Sequence, residues 1–288
     1  MRPEKKRHPI LTFLLLSFIF AIGLAIYMYP YIADKWNAYR NSQLIAKYTA
    51  QASDEEAVPN EEKARLSDEY NKRFLPGQGV VTDVESLADP EYEALPGGDI
   101  IGYIEIPKIT ILCPIFHYST EAVLDKGIGH VHGSSLPVGG ESTHSVLTGH
   151  RGLPESKLFT DLDQLEEGDR FYISSAGRDM AYEVKDVRVV LPEEVSSLVI
   201  EEGRDLVTLV TCTPYGVNTH RLLITGERTE FDKERYAEEA AQGQILQAQS
   251  KITPINAMIA GFVLFMLIVG VFVFVSNRKS RRERKEQG

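Results

Sequence analysis

The chain has 288 residues, 43% of them hydrophobic and 25% charged, with a formal net charge of −10 and two cysteines. That is enough length and apolar content for one or two packed domains, so an intrinsically disordered chain is excluded, and two cysteines exclude a disulfide-built scaffold. With +3 on residues 1–9 and +4 on residues 276–288, the stretch 33–254 is left with −17, which removes the electrostatic case for binding nucleic acid.

In chain order, the basic cluster Arg2, Lys5, Lys6 and Arg7 precedes an apolar segment, 10–32, that has no charged residue. It exceeds the usual ~7–15 residues of a signal-peptide core and no A-x-A site follows, so it reads as an uncleaved anchor, with a cleavable signal peptide as the rival. Residues 255–275 are a second uncharged run of 21 residues, about 30 Å of helix and enough to cross a bilayer. Gly261 and Gly270 form no GxxxG pair. Both apolar segments are flanked on their terminal sides by Lys and Arg, so both termini, 1–9 and 276–288, are expected in the cytoplasm and the chain between on the outer face. The lipid bilayer is thus the first expected partner.

Between the anchors, Asp34–Lys47 has helical spacing around Trp36 and Tyr39, 51–60 is an acidic break, and Glu61–Phe74 predicts a second short helix. Leu75–Gly98 is loop material with Pro76, Pro90, Pro96 and the pair Gly97-Gly98, and 33–98 together reads as a helical stalk and cover. From Asp99 the pattern changes to short strands: Ile100–Ile106, Ile109–Tyr118, Ser145–Gly149, Arg170–Ser174, Ala181–Leu191, Leu206–Cys212 and Arg221–Glu227. Seven or eight strands at this spacing predict a mostly β fold, a closed antiparallel barrel over 99–229, with helical inserts at Val123–Lys126 and Leu158–Leu165. A polar linker, 230–254, leads to the second anchor.

The chemistry concentrates at one hairpin. Leu206–Thr211 is a β-branched and aliphatic run, Thr213–Asn218 carries the Pro and Gly of a turn, and Leu222–Thr225 is apolar again. Cys212 closes the first strand and Arg221 opens the second, which sets a guanidinium beside a thiol and favours the thiolate. The competing reading is a buried cysteine that fills core. His150, in Leu147-Thr148-Gly149-His150-Arg151-Gly152, stands at a strand end beside two glycines and is the candidate base. His130-Val131-His132 puts two imidazoles on one strand face, but two ligands without a nearby carboxylate or thiolate do not make a metal site, and no metal or other cofactor is expected. Cys113 lies in an apolar run and reads as a buried thiol; a Cys113–Cys212 bridge is the alternative.

The stretch from Thr208 to Leu222, TLVTCTPYGVNTHRL, together with LTGHRG at 147–152, closely resembles the class C, pilus-assembling sortases. GYIEIPKI at 102–109 and GSSLPVGG at 133–140 support it, and the likeness runs over about 99–228. It implies an eight-stranded sortase barrel with His150, Cys212 and Arg221 as the catalytic set. Cys212 would attack the Thr–Gly bond of an LPXTG-like sorting signal, and a lysine amine of a pilin subunit would resolve the thioester. The expected setting is the membrane of a Gram-positive bacterium, with the enzyme acting as a monomer. The loop 190–204 would wall the substrate groove through Val195, Leu198 and Ile200, with Thr211 contributing from the strand. Family members cover the site with a lid bearing an Asp-Pro-aromatic motif. The candidates here, Asp83 in TDVE and Asp89-Pro90-Glu91-Tyr92, both depart from it, so a weakly held cover that opens often is expected, since an exposed Asp beside Arg221 would add about 1 kcal/mol or less. A membrane-anchored cysteine hydrolase, a housekeeping-type sortase that attaches proteins to the cell wall, and a non-catalytic receptor stay open beside this reading.

Overall fold

From Ile100 onward, runs of β-branched and aromatic residues alternate with Gly-, Asn- and Asp-containing turns, and the runs become strands. They are β1 (Ile100–Ile106), β2 (Ile111–Phe116), β3 (Ile128–His130), β4 (Thr143–Thr148), β5 (Arg170–Ser175), β6 (Arg178–Val190), β7 (Asp205–Thr213) and β8 (His220–Thr229). The computed structural model describes residues 9–51, 58–79, 89, 92, 99–153 and 156–286. The chain divides into two units, Met1–Tyr29 with Ile245–Gly288, and Pro30–Gln244.

In the second unit the eight strands close into a barrel in the order β1-β2-β3-β4-β7-β8-β6-β5. The sequence suggested an antiparallel barrel, but β2–β3 and β4–β7 are parallel neighbours. The chain leaves β4, builds β5 and β6 elsewhere in the barrel, and returns as β7 in the same direction. The ends of β4 and β7 therefore reach the same rim, which positions the site below. The short β3 had no signal among the predicted strands because only three residues pair, between Gly127 and Val131.

Alternation along each strand sorts side chains to the two faces. Leu147, Val207, Leu209, Leu222 and Ile224 point into the barrel core with Ile104 and Phe171, while Val146, Val210 and Leu223 join Val131 and Leu198 in a separate outer cluster. Each fully buried Ile or Leu contributes about 1.5–3 kcal/mol. One helical turn, α3 (Glu121–Leu124), and 3-10 turns at Pro107–Ile109, Leu162–Gln164 and Pro192–Ser197 punctuate the strands.

Helix α1 (Pro9–Gln51) and helix α2 (Asn60–Asn71) precede the barrel. The residues read as a stalk pack on it instead, because they carry apolar and amide side chains at helical spacing. The Tyr48 hydroxyl donates to the Ile101 carbonyl at 3.2 Å and accepts from the Ala176 amide at 3.0 Å. Ala64 and Tyr70 of α2 share a cluster with Leu136 and Val138, and the buried Asn71 amide bonds both ways with the Leu136 backbone, at 3.2 and 2.7 Å. The segment expected as a polar linker is helical from Lys233, where Ala, Glu and Gln favour a helix, and belongs to helix α4 (Lys233–Glu286). Its first turns dock on the barrel through Tyr236 to Glu105 and Tyr172 to Glu239, both 2.7 Å.

Among the described residues, α1 carries the one stretch, Leu15–Ala50, long and apolar enough by length and composition to cross a membrane. Within the first unit the Phe20 ring stacks on Phe265 with centroids 3.9 Å apart.

Candidate active site

The β4–β7 ladder pairs Thr143 with Asp205 and, in unbroken register, Thr148 with Val210. The Gly149 amide continues it by donating to the Val210 carbonyl at 3.2 Å, and the buried Thr211 hydroxyl donates to the Gly149 carbonyl at 2.8 Å. Continued two residues past Thr148 and Val210, the same offset would bring His150 level with Cys212. On the other side of β7, Cys212 pairs directly with Arg221, and Arg221 pairs in turn with Val190 at the end of β6. Cys212, Arg221 and Val190 thus form one row across β7, β8 and β6, and His150 follows the end of β4 beside it. The turn from β7 to β8 closes with the Val217 and Asn218 amides donating to the Pro214 carbonyl, each at 3.0 Å, and takes positive φ at Gly216 and Asn218.

Paired residues share a face, and Val210 and Leu223, two residues from Cys212 and Arg221 and therefore on the same face, point outward. Cys212 and Arg221 hence lie on the outer face of the barrel, where a polypeptide can reach them. Cys212 is a free, partly exposed thiol. Arg221 Nη1 donates to the carbonyls of Asn218 at 3.2 Å and His220 at 3.1 Å, and among the described residues it has no carboxylate partner. The His150 ring is one-third exposed, with Asp125 Oδ1 4.0 Å from its Nε2. Cys113 is the opposite case: it is buried in the barrel wall, and burial pushes its thiol up to about 12 against the Asn41 amide that donates to its sulfur at 3.5 Å. Both thiols are free, so the two cysteines form no bridge.

The outer cluster makes an apolar floor next to the row. Val146, Val210 and Leu223 lie under Leu198, which reaches over from the β6–β7 loop, and Val190 packs at the edge. Ile200 is buried too, and its backbone is strapped to the segment after α2: the Gly77 amide donates to the Ile200 carbonyl at 2.8 Å and the Ile200 amide to the Gln78 carbonyl at 3.1 Å. Val195 belongs to the 3-10 turn Pro192–Ser197, but its side chain lies outside the described residues. Thr211 is buried with its hydroxyl committed to Gly149, so it stands behind the row and not in the groove.

Of the lid candidates, Asp83 and Pro90 lie outside the described residues. The Asp89 carboxylate is engaged elsewhere than at Arg221. It accepts from Arg73 at 3.1 Å, His132 at 3.2 Å, the Tyr70 hydroxyl at 3.3 Å and the Tyr92 amide at 3.2 Å. Burial works to raise the Asp89 carboxyl, and the Tyr92 amide, His132 and Arg73 together outweigh it and hold the group below its ordinary value. Tyr92 is fully buried against Tyr70, Tyr118 and three imidazoles. β3 runs antiparallel to β4, so the chain from Gly129 to His132 leads away from the rim that carries His150. His130 and His132 also fail as a chelating pair. His130 Nε2 donates to the Ser135 carbonyl at 2.9 Å and Nδ1 accepts from Tyr92 at 2.7 Å, while His132 is spent on Asp89. The described residues contain no cluster of three metal-ligating side chains.

Two neighbours of the row had no sequence signal. Asp125 caps the C-terminal end of α3, remote in sequence from His150. Arg151 donates to the Thr213 hydroxyl at 2.9 Å and pairs with Asp163, contacts that only the parallel β4–β7 register makes visible.

The sortase-domain family profile matches residues 104–229. A protein described as Sortase A of Streptococcus agalactiae is 25% identical over 257 residues, covering 87% of this chain and 97% of that protein. Among solved structures, sortase C-1 from Actinomyces oris is 46% identical, with a TM-score of 0.55 over 60% of this chain and 98% of that one. Sortase C1 from Streptococcus agalactiae is 43% identical, with a TM-score of 0.61 over 66% of this chain and all of that one. With its barrel, its outer-face cysteine and these matches in hand, the chain belongs to the sortase family, in its class C.

Proposed function

We propose that the chain is a membrane-anchored cysteine transpeptidase that cleaves an LPXTG-like sorting signal through a thioester on Cys212 and transfers the acyl group to a lysine amine, joining pilin subunits. The observation that supports this reading is the direct pairing of Cys212 with Arg221 at the end of β7, next to the β4–β7 ladder whose register, continued past Thr148 and Val210, leads to His150. The Cys212 thiolate attacks the Thr carbonyl carbon. Arg221, which cannot lose its proton, donates to the carbonyl oxygen as negative charge develops there, a kind of contact worth about 10²–10³-fold. Protonated His150 gives its proton to the departing glycine amine as the C–N bond breaks. It then takes a proton from the incoming lysine amine, which displaces the thiolate and leaves an isopeptide bond; such proton transfers typically contribute about 10²–10⁴-fold.

The apolar floor beneath Leu198 suits the aliphatic end of a sorting signal. Leu198, Ile200 and Val195 form the loop side of the groove in this reading, and Thr211 supports it from behind. The bilayer is met by residues 10–32 and 255–275, with both termini cytoplasmic and the barrel outside, as the basic flanks direct.

The test is mass spectrometry of the full-length enzyme in detergent with a Leu-Pro-Glu-Thr-Gly peptide and a lysine-bearing acceptor peptide. The expected products are an acyl adduct on Cys212 and an amide-linked conjugate. Adduct formation with water as the sole acceptor would convert the assignment to a hydrolase, and an adduct persisting in Cys212→Ala would sink it. Protease treatment of intact cells should leave tags at Met1 and Gly288 protected; cleavage of either tag refutes the topology.

A further inference from the structure

His150 follows the end of β4 and Cys212 lies near the end of β7, and what fixes their separation is the backbone that each strand offers at its end. β4 ends at Thr148 and the ladder with β7 ends at Val210, so His150 and Cys212 both lie beyond the last backbone pair of their ladder. Hydrogen bonds from Gly149 to Val210 and from Thr211 to Gly149 carry the register one residue further. One step past the reacting pair, Arg151 Nη1 donates to the Thr213 hydroxyl at 2.9 Å while its Nη2 pairs with Asp163 in the Leu162–Gln164 turn. The next step is also filled. Gly152 has φ +85°, and a Cβ there would lie 3.0 Å from the Tyr215 ring, so the ring packs directly on the Gly152 backbone.

Arg151 is a second arginine within one residue of both reacting groups, yet its side chain is only 7% exposed. Its guanidinium is turned away from solvent and held by a carboxylate, which leaves Arg221 as the cation able to meet substrate. Burying a guanidinium is costly unless it is paired and bonded; here Asp163 and Thr213 take Nη2 and Nη1, while the buried Nε has no partner among the described residues.

We propose that Arg151 and Thr213 form a clamp that sets the spacing of His150 and Cys212, making them positioning residues for the acyl-transfer steps. The inference rests on His150 and Cys212 being the reacting pair. The two strand ends are pinned on both sides of that pair, by Thr211 to Gly149 before it and Arg151 to Thr213 after it. Asp163 anchors the guanidinium so that its one remaining fork points at Thr213. Removing the Thr213 oxygen opens the outer pin and leaves the inner one, so the barrel stays closed while the pair gains freedom. A misplacement of about 1 Å can cost on the order of 10²-fold in rate.

The experiment uses full-length enzyme in detergent. The rate of Cys212 alkylation by iodoacetamide at pH 7, located by peptide mapping, is measured in wild type, His150→Ala, Thr213→Val and the double variant. An imidazole held beside the thiol changes its thiolate fraction, so His150→Ala should change the rate about tenfold in the wild-type background and less than threefold with Thr213→Val. Acylation kcat with the Leu-Pro-Glu-Thr-Gly peptide should fall at least tenfold in Thr213→Val with KM within twofold. Thr213→Ser, which keeps the oxygen, should retain wild-type values. Arg151→Gln should match Thr213→Val, and thermal unfolding scans confirm that each variant is folded. An equal effect of His150→Ala in both backgrounds overturns the clamp and leaves the catalytic assignment standing. No effect of His150→Ala in wild type overturns both. A kcat loss in Thr213→Val that only tracks a loss of folded protein also overturns the clamp.

Discussion

Cys212 and Arg221 are direct cross-strand partners at the end of the β7–β8 hairpin, and that pairing turns the thiol and the guanidinium onto one outer face of the barrel. Arg221 spends a nitrogen on the Asn218 and His220 carbonyls of its own turn, which steadies the side chain without neutralising it. Its remaining donors are available to a substrate oxygen.

Arg221→Ala should therefore lower kcat for acylation about 10²–10³-fold, the size expected for loss of one oxyanion donor, with KM changed by less than threefold. Arg221→Lys should recover only part of this, since an ammonium lacks the planar fork that holds two carbonyls and an oxyanion at once. Pre-steady-state acylation kinetics check it; a large KM effect with an unchanged kcat would show that Arg221 acts in ground-state binding.

The barrel was legible in the sequence because seven of its strands announce themselves by β-branched runs between turn residues, and the Cys212–Arg221 pair followed from a hairpin whose turn carries Pro214 and Gly216. What sequence periodicity does not encode is direction. The parallel β4–β7 pairing, which aligns His150 with Cys212 and Arg151 with Thr213, depends on where β5 and β6 are placed. The anchoring of Asp89 was also hidden. Its partners Arg73 and His132 are 16 and 43 residues away and come from the turn just after α2 and the loop after β3. A short polar-aromatic segment carries no pattern that names such partners.

The two cysteines should separate cleanly by reactivity. Burial pushes the Cys113 thiol up to about 12, so at pH 7.5 it is almost wholly protonated as well as shielded. Iodoacetamide should label Cys212 in the native protein and reach Cys113 only after denaturation, as read by peptide mapping. Cys113→Ala should leave acylation within twofold of wild type. Native labelling of Cys113 at a rate comparable with Cys212 would contradict the burial.

Asp89 is an anchor for Tyr92 and the end of α2. Asp89→Ala leaves Arg73, His132 and Tyr70 without their shared acceptor, a loss of about 1–3 kcal/mol, or roughly 2–12 °C in Tm. Because these contacts lie away from the rim that carries His150, Cys212 alkylation should change less than about fivefold, the factor that corresponds to ~1 kcal/mol. An acceleration of a hundredfold with an unchanged Tm would instead make Asp89 the latch of a closed cover over the thiol.

Acid should unfold the barrel earlier than its carboxylates alone require. His130 is fully buried and neutral, with Nε2 donating to Ser135 and Nδ1 accepting from Tyr92, so both nitrogens are satisfied without a second proton. Burial pushes it down to about 3 and pushes His117, whose Nδ1 has no hydrogen-bond partner among the described residues, down to about 4. His144 is shifted in the same direction by burial, bonded on both nitrogens to the Val199 carbonyl and the Thr208 hydroxyl, each at 2.7 Å. In the unfolded chain these imidazoles titrate near ~6.5. Above that value neither state takes up a proton and stability is independent of them. Below it the unfolded chain binds protons that the folded chain refuses, so stability falls as pH drops from about 6.5 towards 4 for His117 and 3 for His130. Each histidine contributes a slope approaching about 1.4 kcal/mol per pH unit once its unfolded form is mostly protonated. Asp89, held low in the folded protein, adds to the loss only nearer pH 4 and below. Urea midpoints at pH 7.5, 6.5, 5.5 and 4.5 should be level over the first pair and fall over the last two intervals. His130→Gln should lower the midpoint at pH 7.5 and flatten the acid slope by about one proton. A wild-type midpoint that stays level from pH 7.5 to 4.5 would show that these imidazoles accept protons inside the fold.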